Sequence, residues 1–220
     1  LPNMINPKRR LLNTAFPLSL LLPSITMAAT DHSADGPFSK LDQAHPTDAP
    51  GKIEVLEFLW YGCPHCAKVE PYVEAWKKAL PADVVFRREH IVWESRPDTV
   101  AHARLFATLK AMNLLDIHQQ AVFDAVHKER VDFKKEATLA DWVGRRGIDR
   151  AAFESTYKSF GVQTLFMRMK KLTATYRIEG VPTFFINGKY TTEPHRAGGE
   201  QQVLAVMDKL IAQERALIKK

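Results

Sequence analysis

The stretch Ile53-Glu54-Val55-Leu56-Glu57-Phe58-Leu59-Trp60-Tyr61-Gly62-Cys63-Pro64-His65-Cys66 decides the fold. Ile53 to Leu59 is a short apolar run that carries Glu57 and closes at Tyr61-Gly62, the pattern of a buried strand. A helix is expected from Cys63, because Pro64 suits a first turn in which its missing N–H would have no partner. Trp76 and Leu80 continue an apolar face to Pro81, and Pro71 inside the helix is expected to kink it. Asp83 to Val92 supplies a second strand through Val84, Val85, Phe86 and Ile91. A strand, helix and strand of these lengths form a βαβ unit with parallel strands.

Outward from this unit the pattern turns helical. From Asp98 to Ile178 apolar residues recur at helical spacing: Leu105, Phe106, Leu109 and Met112, then Ile117, Ala121, Val122 and Ala125, then Leu139, Trp142 and Val143. Thr138 with Asp141 resembles a capping box, Gly147 fits just after a helix end, and Asp149 is placed to cap the segment holding Phe153 and Tyr157. A longer helix follows with Val162, Phe166, Met169, Leu172 and Tyr176 on one face. Val181 to Ile186 and Lys189 to Thr192, joined by Asn187-Gly188, read as a hairpin with a two-residue turn. The last helix runs from Glu200 to about Ile218. The expected topology is an all-helical insertion over 99–178, between the second and third strands of one sheet.

The chain has 220 residues, 45% of them hydrophobic and 25% charged, which is enough to bury a sizeable core and excludes a long disordered protein. The net charge of +6 overstates the basic character, since Lys8, Arg9 and Arg10 account for half of it. No basic cluster with interleaved aromatics remains downstream, so nucleic acid is not an expected partner. Residues 4–28 read as a secretory signal, with a basic start, an apolar run from Leu11 to Leu22, and Thr26 and Ala28 spaced for cleavage after Ala28. The apolar run, broken by Pro17, is shorter than the roughly 20 residues that span a bilayer. Met4 is a better start than Leu1. Residues 29–36 and 43–51 read as a flexible start and a loop. Export places the mature protein where disulfides persist.

The two cysteines lie three apart at the first turn of a helix, where unpaired N–H groups and the positive dipole end stabilise an anion at Cys63. A lowered thiol pKa, in the range of roughly 3.5–5, follows if His65 adds its charge. Such a thiolate is a good leaving group, and stabilising the reduced form makes the disulfide a stronger oxidant. Cys66, one turn along and turned toward the core, suits resolution of a mixed disulfide. Two cysteines exclude a disulfide-rich scaffold or a site of four Cys ligands. Three other readings compete with redox chemistry. A structural disulfide over so short a loop stabilises by only about 2 kcal/mol. Zinc would need two further ligands, and His90, His102, His118, His127 and His195 show no ligand spacing. Covalent haem needs His at position 67, which is Ala67. No metal and no cofactor are expected.

Glu57-Phe58-Leu59-Trp60-Tyr61-Gly62-Cys63-Pro64-His65-Cys66, Gly180-Val181-Pro182-Thr183 and Asn187-Gly188-Lys189-Tyr190 resemble the DsbA family of periplasmic thiol:disulfide oxidoreductases, over roughly residues 38–218. The resemblance implies an α/β, thioredoxin-like fold with an all-helical insertion domain. It also implies a catalytic set of Cys63, Pro64, His65, Cys66 and Glu57, a redox-active Cys63–Cys66 disulfide, and a cis bond at Val181-Pro182, whose residues bind substrate. Glu57, six residues before Cys63, is then a buried carboxylate that exchanges a proton with Cys66; the alternative is a carboxylate paired to Arg87 or Arg88. Glu70 matches a second acidic position of the family, but with Glu74, Lys77 and Lys78 it reads as a solvated helix face. Trp60 and Tyr61 read as core.

The expected organisation is a cleaved signal over 1–28, a thioredoxin-like domain formed by 29–97 and 163–220, and an insertion over 98–162. The expected function is donation of a disulfide to unfolded, newly exported proteins in the periplasm by a monomer, with a quinone-coupled membrane oxidase as the partner that recharges it. The rivals are a reductase or isomerase of the same superfamily, and a substrate-binding module whose cysteines are structural. Isomerases usually carry a separate dimerisation domain, for which the residues before the first strand leave no room.

Overall fold

The computed structural model of the chain describes residues 36–218. The signal reading for 1–28 and the mature start at Ala29 lie outside the described residues. The strands are β1 (Ser39–Lys40), β2 (Ile53–Leu59), β3 (Val84–His90), β4 (Thr183–Ile186) and β5 (Tyr190–Thr192), in the sheet order β1-β5-β4-β2-β3. β2 and β3 are parallel, with Glu57 opposite Arg88 and Leu59 opposite His90. β4 is antiparallel to β2 and to β5. Every residue of β2 is buried, because helices or loops cover both faces. Ile53 and Val55 pack against Val69, Val73, Val203 and Met207, whereas Leu56 and Phe58 pack against Tyr176, Ile178 and Phe185. Each such side chain removed from water contributes about 1.5–3 kcal/mol, which makes the strand that leads to the cysteines the best anchored in the sheet.

α1 (Pro64–Lys77) follows β2 and runs through Pro71 without interruption. Between β3 and β4 the described chain holds only helices and connections: α2 (Pro97–Ala111), α3 (Leu115–His127), α4 (Glu136–Arg145), α5 (Arg150–Tyr157) and α6 (Phe160–Thr175). The helical insertion is therefore where the periodicity put it. The 162/163 boundary read from sequence falls within α6. Asp149 caps α5 by accepting from the Ala152 N–H at 2.8 Å, and Gly147 follows α4 with φ of 71°. The Thr138–Asp141 capping box does not form: α4 starts at Glu136, with Lys135 at the cap, so Thr138 is already inside the helix. Asn187 and Gly188, with φ of 50° and 64°, make the hairpin turn, closed by Lys189 N–H to Ile186 O at 3.0 Å. α7 (Pro194–Ala197) and α8 (Gln202–Ile218) complete the chain. No helix among the described residues is long and apolar enough to cross a membrane.

Candidate active site

The chain leaves β2 through a four-residue turn, Trp60 to Cys63, closed by the Cys63 N–H donating to Trp60 O at 2.9 Å. Cys63 is the N-cap of α1 and Pro64 its first residue, so the turn delivers Cys63 to the end of the helix where backbone N–H groups are free. Gly62 is required here, because a Cβ at that position would lie 2.3 Å from Trp60 Cζ2. The indole cannot step aside: its Nε1 donates to His102 Nδ1 at 3.1 Å, and the Arg96 guanidinium sits 4.3 Å above the ring. Gly62→Ala is expected to destabilise the fold by about 1–3 kcal/mol, as overpacking does, and to change Trp fluorescence. Urea unfolding checks the first effect, and an unchanged midpoint would contradict the packing.

Both cysteines are free thiols. Cys63 is 6% exposed and Cys66 1%, while Pro64 and His65 are exposed between them. The Cys63 thiol is lowered from 9.0 to about 6, chiefly by a hydrogen bond from the Cys66 thiol, against the opposing effect of burial. Backbone N–H groups of Cys66 and His65 add to the lowering, and the His65 charge contributes least. The direction agrees with the sequence reading, but about 6 lies above the expected 3.5–5, because Cys63 is more enclosed and His65 less decisive than a helix-end argument assumes. Cys66 is pushed well above 9.0 by burial first and then by the neighbouring Cys63 sulfur. The Val181-Pro182 bond is cis, and the Cys63 Sγ donates to Val181 O at 3.2 Å. β4 thus begins beside the first cysteine, with Pro182 buried and Val181 half-buried.

Glu57 is 1% exposed and accepts from Arg88 Nε at 3.1 Å. Burial raises its pKa, with Arg88 pulling the other way. The carboxyl is buried and raised as well as paired, and its charge is felt at Cys66. Its partner is Arg88; Arg87 turns to Glu54 at 2.6 Å and Glu89 at 3.1 Å. Glu70 overturns its reading as part of a solvated face. It is fully buried, accepts from Arg88 Nη1 at 3.2 Å, and is raised to about 8 by burial. The reason is helical geometry: Glu70 is four residues after Cys66 and shares the buried stripe of Cys66, Val69 and Val73. Glu74 and Lys77 are half-exposed and Lys78 is exposed, with Glu74 bonded to Arg88 at 2.9 Å and Lys77 at 3.0 Å. Tyr61 is buried, as expected, but Trp60 is half-buried at the margin of the core cluster that holds Cys63 and Cys66. Among the described residues, no group of three or more His, Cys, Asp or Glu is arranged to hold a metal.

A family model described as a DSBA-like thioredoxin domain matches residues 83–210. The thiol:disulfide interchange protein DsbA of Pseudomonas aeruginosa is 38% identical over 217 residues, covering 96% of this chain and all of that protein. That of Azotobacter vinelandii is 42% identical over 171 residues, covering 78% of this chain and 79% of that protein. The crystal structure of Pseudomonas aeruginosa DsbA superposes with a TM-score of 0.78 at 40% identity, covering 84% of this chain and 95% of that one. Reduced DsbA1 from Neisseria meningitidis gives 0.73 at 30% identity, over 83% and 94% of the two chains.

Proposed function

The chain belongs to the DSBA-like thioredoxin domain family, and from that membership we propose that it is a thiol:disulfide oxidoreductase working as a dithiol oxidase at Cys63-Pro64-His65-Cys66. The observation that carries the direction of the reaction is the asymmetry of the two thiols: Cys63 is lowered to about 6 and Cys66 is pushed up, side by side at one helix end. In the oxidised protein, a substrate thiolate attacks the Cys63 sulfur, the Cys63–Cys66 bond breaks, and Cys66 leaves as a thiolate that takes up a proton. The second substrate thiolate then attacks the substrate sulfur of the mixed disulfide, and Cys63 leaves as a stabilised thiolate. The substrate has lost two electrons and gained a disulfide, and the enzyme holds the dithiol.

The same geometry supports the remaining roles that we propose. Glu57, charged or protonated according to what Arg88 and Glu70 hold beside it, exchanges the Cys66 proton. His65 contributes charge at the Cys63 sulfur. Val181 and Pro182 receive an extended substrate segment, the Val181 carbonyl accepting from the substrate backbone once the Cys63 thiol no longer occupies it. The thioredoxin-like part is formed by 29–97 and 163–220, with 98–162 as the insertion. We assign the protein to the periplasm as a monomer, with unfolded exported proteins as substrates and a quinone-coupled membrane oxidase as the partner that restores the disulfide.

The test mixes pre-oxidised protein with a reduced, unfolded polypeptide carrying two cysteines. One disulfide should pass to the substrate per protein, and glutathione equilibration should give a potential less negative than the roughly −270 mV of thioredoxin. A potential at or below that value would make the protein a reductant. Binding without transfer would make it a substrate-binding module.

A further inference from the structure

The turn that presents Cys63 is gripped by histidines from three separate elements. His90, at the end of β3 and fully buried, accepts the Tyr61 N–H at Nε2 over 3.2 Å. His127, the last residue of α3, donates from Nε2 to Tyr61 O at 2.8 Å. His102 on α2, 6% exposed, accepts the Trp60 indole N–H at 3.1 Å. Two consecutive residues therefore have a backbone donor, a backbone acceptor and a ring donor each taken by an imidazole. Tyr61 is tied once more by its hydroxyl, which donates to Gln119 of α3 at 2.7 Å.

These contacts bear directly on the cysteines. A peptide group is planar, so holding the Tyr61 N–H fixes the direction of Trp60 O in the same plane. Trp60 O is the acceptor of the Cys63 N–H. The protonation pattern is determined by the partners as well. His90 Nδ1 lies 2.7 Å from Ile91 O and must donate to it, which leaves Nε2 as the lone pair that Tyr61 needs. His102 accepts at Nδ1 and carries its proton on Nε2. Burial lowers both, to about 3 and about 4, so they stay neutral and keep these roles at physiological pH. Burying an imidazole is costly unless it finds a partner, and buried His90 and His102, with half-buried His127, each give one ring nitrogen to the Trp60-Tyr61 dipeptide.

We propose that His90, His102 and His127 are positioning residues that clamp the Trp60–Cys63 turn, so that the helical insertion, through α2 and α3, sets where the Cys63 sulfur stands for disulfide exchange. This rests on the oxidase reading and deepens it. His127→Phe keeps a ring beside Phe123, 6.3 Å away between centroids, and removes only the donor. His127→Gln returns a side-chain N–H, and His102→Leu removes the acceptor for Trp60.

The readouts are the Cys63 thiolate titration, followed by ultraviolet absorbance, and the equilibrium of the full chain with glutathione. His127→Phe and His102→Leu should each raise the Cys63 midpoint by about 0.5–1 unit and shift the glutathione equilibrium about 3- to 5-fold toward the protein disulfide at pH 7. His127→Gln should recover most of both. Folded variants with lower melting temperatures but an unchanged Cys63 midpoint and equilibrium would overturn the proposal, since a purely structural role moves only stability. Should a variant fail to fold, nitrogen NMR of the wild type decides: His90 must carry its proton on Nδ1 and His102 on Nε2, and the opposite tautomer at either overturns the clamp. Failure of the oxidase reading is separately visible, as absence of disulfide transfer by the wild type.

Discussion

Cys63→Ser will abolish disulfide transfer to a reduced polypeptide, whereas Cys66→Ser will convert the protein into a trap. Offered a disulfide such as oxidised glutathione, the Cys63 thiolate of Cys66→Ser attacks one sulfur and expels the other. With the intramolecular thiol gone, the mixed disulfide should persist at least about a hundredfold longer than in the wild type, because a tethered nucleophile has a very large effective concentration. Cys63→Ser should accumulate none, since Cys66 is 1% exposed and its thiol is pushed well above 9.0. Intact mass after a timed incubation reads both outcomes. Equal trapping by the two variants would remove the asymmetry on which the assignment stands. The same asymmetry has a pH signature: alkylation of Cys63 should rise through about pH 6 and level off by neutrality. A lowered thiol stabilises the reduced fold above its unfolded value of 9.0, and that stabilisation is lost as pH falls through about 6. The disulfide form has no such titration, so the gap in unfolding free energy between reduced and oxidised protein should shrink from pH 8 to pH 5. At pH 7 the thiolate accounts for about 1.4 kcal/mol, or about 30 mV of oxidising potential.

The parts of this architecture that sequence reveals are those decided locally. The run Ile53 to Leu59, Pro64 at a helix start and the Asn187-Gly188 turn each state their conformation through short-range sterics, and the helices from Pro97 to Thr175 through a long apolar period. β1, two residues long, and α7, four residues long, are too short to carry a period. Thr138 has the right spacing for a cap but is pre-empted by a helix that begins at Glu136. At the site, Cys63 and Cys66 are legible because their chemistry depends on the helix end they occupy. Glu70 is not, because the run from Lys68 to Lys78 has the composition of a solvated face. A glutamate is stable beneath it only because Arg88 arrives from β3. Its spacing of four from Cys66 was the available signal. His90, His102 and His127 look unrelated along the chain, and only the pairing of β3 with β2 and the packing of α2 and α3 over the end of β2 bring them to Trp60 and Tyr61.

Arg88→Met will destabilise the protein by about 3–5 kcal/mol at neutral pH, the cost of leaving a buried charge without its partner, and by far less at pH 4. Arg88 is 6% exposed and holds Glu57, Glu70 and Glu74 at 3.1, 3.2 and 2.9 Å. Burial holds Glu70 up to about 8, more than one guanidinium shared with Glu57 offsets, so Glu70 shares the site as a neutral acid near pH 7. A carboxyl with a raised folded pKa contributes stability that is complete below its unfolded value of 4.5 and is lost as pH rises through about 8. Removing the cation lifts both carboxyls further, but Glu70 is already protonated below about 8 in either protein, so near neutrality the growth of the penalty comes from Glu57, by up to about 1.4 kcal/mol per pH unit above its wild-type folded pKa. Below pH 4.5 both are largely protonated in the folded and unfolded chains alike, and methionine fills the space of a charge whose two buried counter-ions have been neutralised. Urea unfolding at pH 4 and pH 7 tests this, with Glu57→Gln in the Arg88→Met background expected to restore part of the loss at pH 7. A penalty of equal size at both pH values would mean that Arg88 acts through packing alone. In that case Glu57 would be free of the charge balance that couples it to Cys66, and its place as the proton exchanger would have to be given up.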